Sequence, residues 1–108
     1  MSLTERVTHH LRTADLSRLR HQDIASACCM SYTSLRRKLR AEGTTFERLR
    51  DSERKRRVEQ ALAVNPCVTC HTLTEICGFS EYQTLIRAFR DWFGMPLSEY
   101  KVKLMVAA

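Results

Sequence analysis

One pattern occurs twice in this chain, about fifty residues apart, and it limits the available folds more than any single residue does. The first copy runs Ile24-Ala25, three residues, Cys29-Met30-Ser31, then Leu35, Leu39, Gly43, Phe46 and Leu49. The second runs Leu73-Thr74, three residues, Gly78-Phe79-Ser80, then Leu85, Phe89, Gly94, Leu97 and Tyr100. Ile24 to Ser31 and Leu73 to Ser80 are both seven residues, and Gly43 to Leu49 and Gly94 to Tyr100 are both six. The second copy has one extra residue between its Ser and the next Leu, and another before its Gly. Each copy reads as a short helix, a tight turn, a Ser-capped longer helix and a Gly stop, which is the order of a helix-turn-helix. Two such units on a basic chain point to double-stranded DNA.

At 108 residues the chain supports one domain, or two small lobes sharing an element. Its net charge of +6 suits a polyanionic partner, although such a surface also simply aids solubility. The distribution says more: ten of the eighteen Lys and Arg fall between Arg36 and Arg57, against four acids. No apolar run approaches membrane-spanning length, and the first residues lack a signal peptide's apolar core. A soluble, cytoplasmic protein is expected. Five cysteines is an odd number, so a fully paired intrachain framework is impossible and thiols are the simplest state.

Helical periodicity is present almost throughout, and no segment alternates as a strand. The expectation is an all-α fold of seven helices, with two helix-turn-helix lobes (1–45 and 65–108) joined by a long linker helix (46–64). Leu3, Val7 and Leu11 mark the first helix, ending near Thr13, and Asp15 to Arg20 reads as a connection. A short helix from about Arg20 to Ala27 leads to the turn Cys28-Cys29-Met30, with one of the two cysteines facing the core. Ser31 then caps a helix running to about Glu42, which Gly43 ends in the left-handed conformation. Thr44-Thr45-Phe46-Glu47 reads as a capping box opening the longest helix, which Asn65-Pro66 stops. Thr72-Leu73-Thr74-Glu75 reads as a second capping box. Ser80 caps a helix to Phe93, Gly94 ends it, and Pro96 precedes a last helix from Leu97 to about Met105.

In the third helix Leu35 and Leu39 face the core, so Thr33 and Arg37 point roughly opposite, flanked by Arg36. In the sixth, Leu85, Ala88, Phe89, Trp92 and Phe93 form the apolar stripe, leaving Gln83 and Arg87 opposite Leu85 with Thr84 alongside. These side chains can read base edges: Arg grips guanine O6 and N7, Gln grips adenine N6 and N7, and Thr donates, accepts or touches a thymine methyl. Ser31, Lys38, Ser80 and Arg90 are the candidate phosphate contacts. A linker of roughly eighteen residues spans ~27 Å, below the ~34 Å between successive major grooves on one face, so bent DNA is the expected companion.

These residues resemble the DNA-binding module of the AraC/XylS family of bacterial transcription regulators, over about Glu5 to Lys101. The most specific stretch is Gly78-Phe79-Ser80-Glu81-Tyr82-Gln83-Thr84-Leu85-Ile86-Arg87-Ala88-Phe89-Arg90-Asp91-Trp92-Phe93-Gly94. The first unit is similar to the family's first unit through Ile24-Ala25, Met30-Ser31, Leu35-Arg36-Arg37-Lys38-Leu39 and Gly43-Thr44-Thr45-Phe46. The resemblance implies a two-lobed seven-helix fold and activation of transcription through contact with RNA polymerase. It also implies base contacts at Thr33, Arg36, Arg37, Tyr82, Gln83, Thr84 and Arg87. Two departures are Thr74, where the family usually has Ala, and Pro96, one place before the family's usual Pro. Family members stand alone or follow an N-terminal effector-binding or dimerisation domain. Nothing in these residues forms such a domain, so the chain is expected to be either a module controlled by its abundance or a fragment of a larger regulator, with the fragment reading preferred.

Other features carry weaker readings. Cys67-Val68-Thr69-Cys70-His71 spells a haem c attachment motif, but nothing directs export, and no cofactor is expected. Cys67, Cys70, His71 and Cys77 are zinc-type ligands, although Cys77 is expected to pack inside the second unit, so a metal- or thiol-responsive switch is the alternative reading and no metal site is assigned. Arg54-Lys55-Arg56-Arg57 reads as a solvated helix face, with phosphate binding or a partner-facing patch as the alternatives. A protein-interaction module that reads no DNA sequence is the third reading. His9, His10 and His21 read as surface histidines, and no local catalytic motif or Gly-rich phosphate loop is present, so no enzyme is expected.

Overall fold

A computed structural model of the chain describes residues 1–107, which form seven helices and no strand. They are α1 (Leu3–Arg12), α2 (His21–Ala27), α3 (Tyr32–Ala41), α4 (Phe46–Val64), α5 (Cys70–Cys77), α6 (Tyr82–Phe93) and α7 (Leu97–Ala107). The chain divides into two compact units, Met1–Glu53 and the residues from Arg54 on. The boundary falls inside α4, which therefore contributes a stretch to each unit.

The first unit closes around Leu3, Val7, Leu11, Leu16, Ile24, Ala25, Cys28, Leu35, Leu39 and Phe46, with Leu19, Tyr32 and Leu49 packed against them. Leu16 lies in the connection after α1, where periodicity carries no signal, yet it is 4% exposed. The second unit closes around Val58, Leu62, Leu73, Cys77, Leu85, Phe89 and Leu97. Its aromatic side is tightly arranged: Phe89 and Phe93 stack at 4.4 Å between centroids, and Tyr100 of α7 meets Phe89 edge-on at 5.4 Å. Lys101 donates to the Val68 carbonyl at 2.6 Å, tying α7 to the segment before α5. Leu35, Leu39, Leu85 and Phe89 are fully buried, and truncating any of them to Ala should cost about 2–5 kcal/mol in lost transfer energy and cavity formation.

Helix starts differ from the sequence reading in three places. The Thr45 hydroxyl, not that of Thr44, accepts from the Arg48 amide at 3.1 Å, so the cap of α4 lies one residue later than the Thr44 capping box places it. Thr69 caps α5 by accepting from the Thr72 amide at 3.1 Å, and the helix begins at Cys70 rather than after Thr72. Glu75, the supposed partner in that capping box, instead pairs with His71 at 2.8 Å. Ser80 does not cap α6, whose N-cap is Glu81 with no side-chain cap bond. The extra residue after Ser80 delays the helix by one position, so Ser80 cannot reach the amide that Ser31 reaches in the first unit (Ser34, 3.2 Å).

A further cap joins residues distant in sequence. Glu42, just after α3, accepts from the Leu3 amide at 3.1 Å and from the Thr4 amide and hydroxyl at 2.9 and 2.6 Å. Its carboxylate thus sits at the positive end of α1, and the Thr4 hydroxyl bond holds it below the ordinary carboxylate range.

Candidate nucleic-acid interface

The turns that aim α3 and α6 are built alike. In the first, the Met30 amide donates to Ala25 O and the Cys29 amide to Ser26 O, both at 3.0 Å. In the second, the Phe79 amide donates to Thr74 O at 3.1 Å and the Gly78 amide to Glu75 O at 3.0 Å. This pair of bonds closes a helix on a left-handed residue. Gly78 has φ +77° and Cys29 has φ +58°; Cys29 is the one non-glycine among the described residues with positive φ. A side chain there costs about 1–2 kcal/mol, which the shared bonding pattern over-determines. Cys28 is the core-facing member of the pair, 3% exposed, as Cys77 is in the other unit at 0%.

Thr74, which departs from the expected Ala, is 7% exposed, and its hydroxyl donates to the Cys70 carbonyl one turn back at 2.7 Å. The polar group is therefore satisfied within its own helix and the short helix packs normally. Likewise α7 begins at Leu97, with Pro96 immediately before it accepting from the Tyr100 amide at 3.1 Å.

The expected base-reading side chains are all exposed: Thr33, Arg36 and Arg37 along α3, and Tyr82, Gln83, Thr84 and Arg87 along α6. Each set occupies one helix and shares its outward side, because Leu35 and Leu39, or Leu85 and Phe89, occupy the inward one. Ser31, Lys38, Ser80 and Arg90 are exposed too, Lys38 and Arg90 in the last turns of their helices. Arg40 adds a fourth exposed cation to α3. Ile86, absent from the expected set, is 40% exposed beside them. It lies about 100° around the helix from Leu85, at the edge of the apolar stripe and two turns before Phe93, and an apolar residue at that edge was the available signal.

His21 is half-buried rather than a free surface histidine, its ring lying 3.9 Å from that of Tyr32. The contact joins the starts of α2 and α3. In the second unit an open groove lined by Cys70, His71, Glu75, Phe79, Glu81 and Tyr82 lies between the corresponding helix starts.

The basic run on α4 is not a solvated face. Arg54, Lys55, Arg56 and Arg57 are all half-buried. Arg54 donates from Nε to Cys77 O at 3.1 Å while its guanidinium covers the Phe79 ring at 4.3 Å. Arg57 donates to Ile76 O at 3.2 Å, and Lys55 lies 5.3 Å over the Phe93 ring. These carbonyls are at the end of α5, where helix geometry leaves acceptors without intrahelical donors and the dipole favours cations. Arg6 of α1 does the same for Cys28 O at 3.4 Å.

All five cysteines are free thiols, and Cys29 and Cys67 are exposed. Cys70 and His71 are in the first turn of α5 rather than in a loop, and Cys77 is in the core, so these residues do not converge on one point. Among the described residues no three His, Cys, Asp or Glu side chains are placed to hold a metal ion. Burial pushes the Cys77 thiol up to about 11 against the pull of Arg54 and Arg57, and raises Cys28 as well. No helix of the described residues is long and apolar enough to cross a membrane.

The model of the helix-turn-helix domain family matches residues 24–103. The chain is 33% identical over 72 residues to the HTH-type transcriptional regulator VqsM of Pseudomonas aeruginosa, covering 67% of this chain and 22% of that protein. It is 33% identical over 78 residues to the HTH-type transcriptional regulator GadX of Escherichia coli, covering 72% of this chain and 28% of that one. The chain thus spans about a quarter of the length of these relatives. A DNA-binding transcriptional dual regulator from Escherichia coli K-12 superposes with a TM-score of 0.87 at 25% identity, over 95% of this chain and 98% of that one. The regulator CdpR of Pseudomonas aeruginosa shares the fold, with a TM-score of 0.82 at 23% identity over 92% of this chain and 31% of that one.

Proposed function

The chain belongs to the AraC/XylS-type helix-turn-helix domain family of DNA-binding transcription regulators, and on that premise we propose that it reads two successive major-groove segments of double-stranded DNA, one with α3 and one with α6. The observation that carries this reading is the recurrence of one turn geometry in both units, each followed by a helix with an apolar inner side and an exposed polar outer side. Base readout is assigned to Thr33, Arg36 and Arg37 in the first unit and to Tyr82, Gln83, Thr84 and Arg87 in the second. Phosphate contacts are assigned to Ser31, Lys38, Ser80 and Arg90. Arg36 and Arg37 suit guanine, and Gln83 suits adenine.

The module acts by binding, with no catalytic step assigned. As part of a larger cytoplasmic regulator it follows an effector-binding or dimerisation domain and activates transcription through RNA polymerase. Selection of bound duplexes from a random pool at ~0.15 M salt, which suppresses purely ionic binding, tests the DNA reading. Two enriched blocks about one helical turn apart are expected. A single block would remove one reading helix from the proposal, and no enrichment would sink it.

A further inference from the structure

One flank of the exposed side of α6 is apolar. Tyr82 is 58% exposed and Ile86 is 40% exposed. They stand four residues apart and so form a ridge along one side of the helix, next to the row made by Gln83 and Arg87. Ile86 is partly covered by the fold, but its exposed part contributes no burial energy there, and the β-branched side chain loses freedom against the preceding turn.

The first unit does something different at the same register. Tyr32 precedes the buried Leu35 by three, as Tyr82 precedes the buried Leu85, but Tyr32 is half-buried against His21 at 3.9 Å. The residue after Leu35 is the exposed cation Arg36, where α6 has Ile86. One unit therefore offers charge at this flank, and the other an apolar ridge continuous with its base-reading row. The apolar groups that a major groove presents at its base edges are the C5-methyls of thymine.

We propose that the Tyr82–Ile86 ridge reads thymine methyl groups, making Ile86 a specificity-determining residue and the segment bound by α6 rich in A·T pairs. This rests on the reading that α6 lies in a major groove. Gln83, one row over, supplies the adenine contact that a T·A pair offers beside its methyl.

The test replaces each thymine of a selected duplex by deoxyuridine, one at a time, which deletes the methyl and preserves pairing. Dissociation constants are measured for the wild-type chain, Ile86→Ala and Arg87→Ala. Wild-type affinity should fall about fourfold at one or two thymines, the worth of one buried carbon. Ile86→Ala, which also favours the helix, should bind the thymine and uracil duplexes alike at the position that Ile86 reads, keeping dependence at most at the one that Tyr82 reads. Wild-type indifference to every methyl, or full methyl dependence retained in Ile86→Ala, overturns the proposal. If either result accompanies a preferred duplex whose selectivity is lost in Arg87→Ala, the ridge alone is wrong. If no duplex is preferred at all, the groove reading falls with it.

Discussion

Arg54 and Cys77 hold each other through their backbones: the guanidinium Nε donates to Cys77 O at 3.1 Å, and the Cys77 thiol points back at Arg54 O at 3.7 Å. The pair joins the second-unit stretch of α4 to the end of α5, one residue before the left-handed Gly78 that starts the turn into α6. A basic residue that looks like a DNA contact thus sets the base of α6.

Replacing Arg54 by Met should therefore lower stability while the intrinsic chemistry of the reading face stays intact. The loss is a charged hydrogen bond to a carbonyl plus the ring contact with Phe79, together about 2–3 kcal/mol. Urea melts of the two proteins measure it. An unchanged midpoint, with DNA affinity reduced and its salt dependence flattened, would mean that Arg54 serves phosphate instead.

The buried thiols make stability depend on alkaline pH. Cys77 is pushed up from 9.0 to about 11 in the folded state, so between these values the unfolded chain loses its proton while the folded one keeps it. The stabilisation is complete below pH 9 and is lost as pH rises through about 11, and Cys28 shifts in the same direction. Wild-type stability should drop by about 2 kcal/mol more than that of Cys77→Ala between pH 8.5 and 11, following ~1.4 kcal/mol per unit. Parallel curves for the two proteins would show that the Cys77 thiolate is accommodated in the core.

Cys29 occupies with a side chain the conformation that Gly78 occupies without one. Cys29→Gly should stabilise the chain by about 0.5–1 kcal/mol, the relief of left-handed strain less the added freedom of the unfolded chain. Gly78→Ala should destabilise it by about 1 kcal/mol or more. Thermal melts at one protein concentration compare the three. A destabilised Cys29→Gly would show that the exposed thiol makes a favourable contact.

Arg87→Ala should cost about 1–3 kcal/mol on a selected duplex and little on random DNA, as expected for a bidentate base contact. Lys38→Ala and Arg90→Ala should instead weaken both duplexes alike and lower the salt slope by about one. Titrations at several salt concentrations separate the two behaviours. Equal losses on both duplexes would reassign Arg87 to phosphate.

Much of this was legible in the chain itself. Leu35, Leu39, Leu85 and Phe89 fixed the inner sides of α3 and α6 at helical spacing, and so fixed which residues face out. Gly43 and Gly94 marked two helix ends and Gly78 a tight turn, each with positive φ. The capping residues were harder. Thr44 and Thr45 are both competent caps, and Ser80 stops being one because a single inserted residue moves the first turn away from it.

What the sequence determined by itself is periodicity and its interruptions: where the helices run, which side of each is apolar, and that one turn occurs twice. Those follow from local geometry, in which partners lie three or four residues apart. Only the tertiary structure decided that Arg6, Arg54 and Arg57 serve carbonyls, that Leu16 is core, and that Tyr32 rests on His21 while Tyr82 stands exposed. An arginine's reach and an aromatic ring's neighbour are set by helices brought together from distant parts of the chain, and no spacing rule along one helix encodes that.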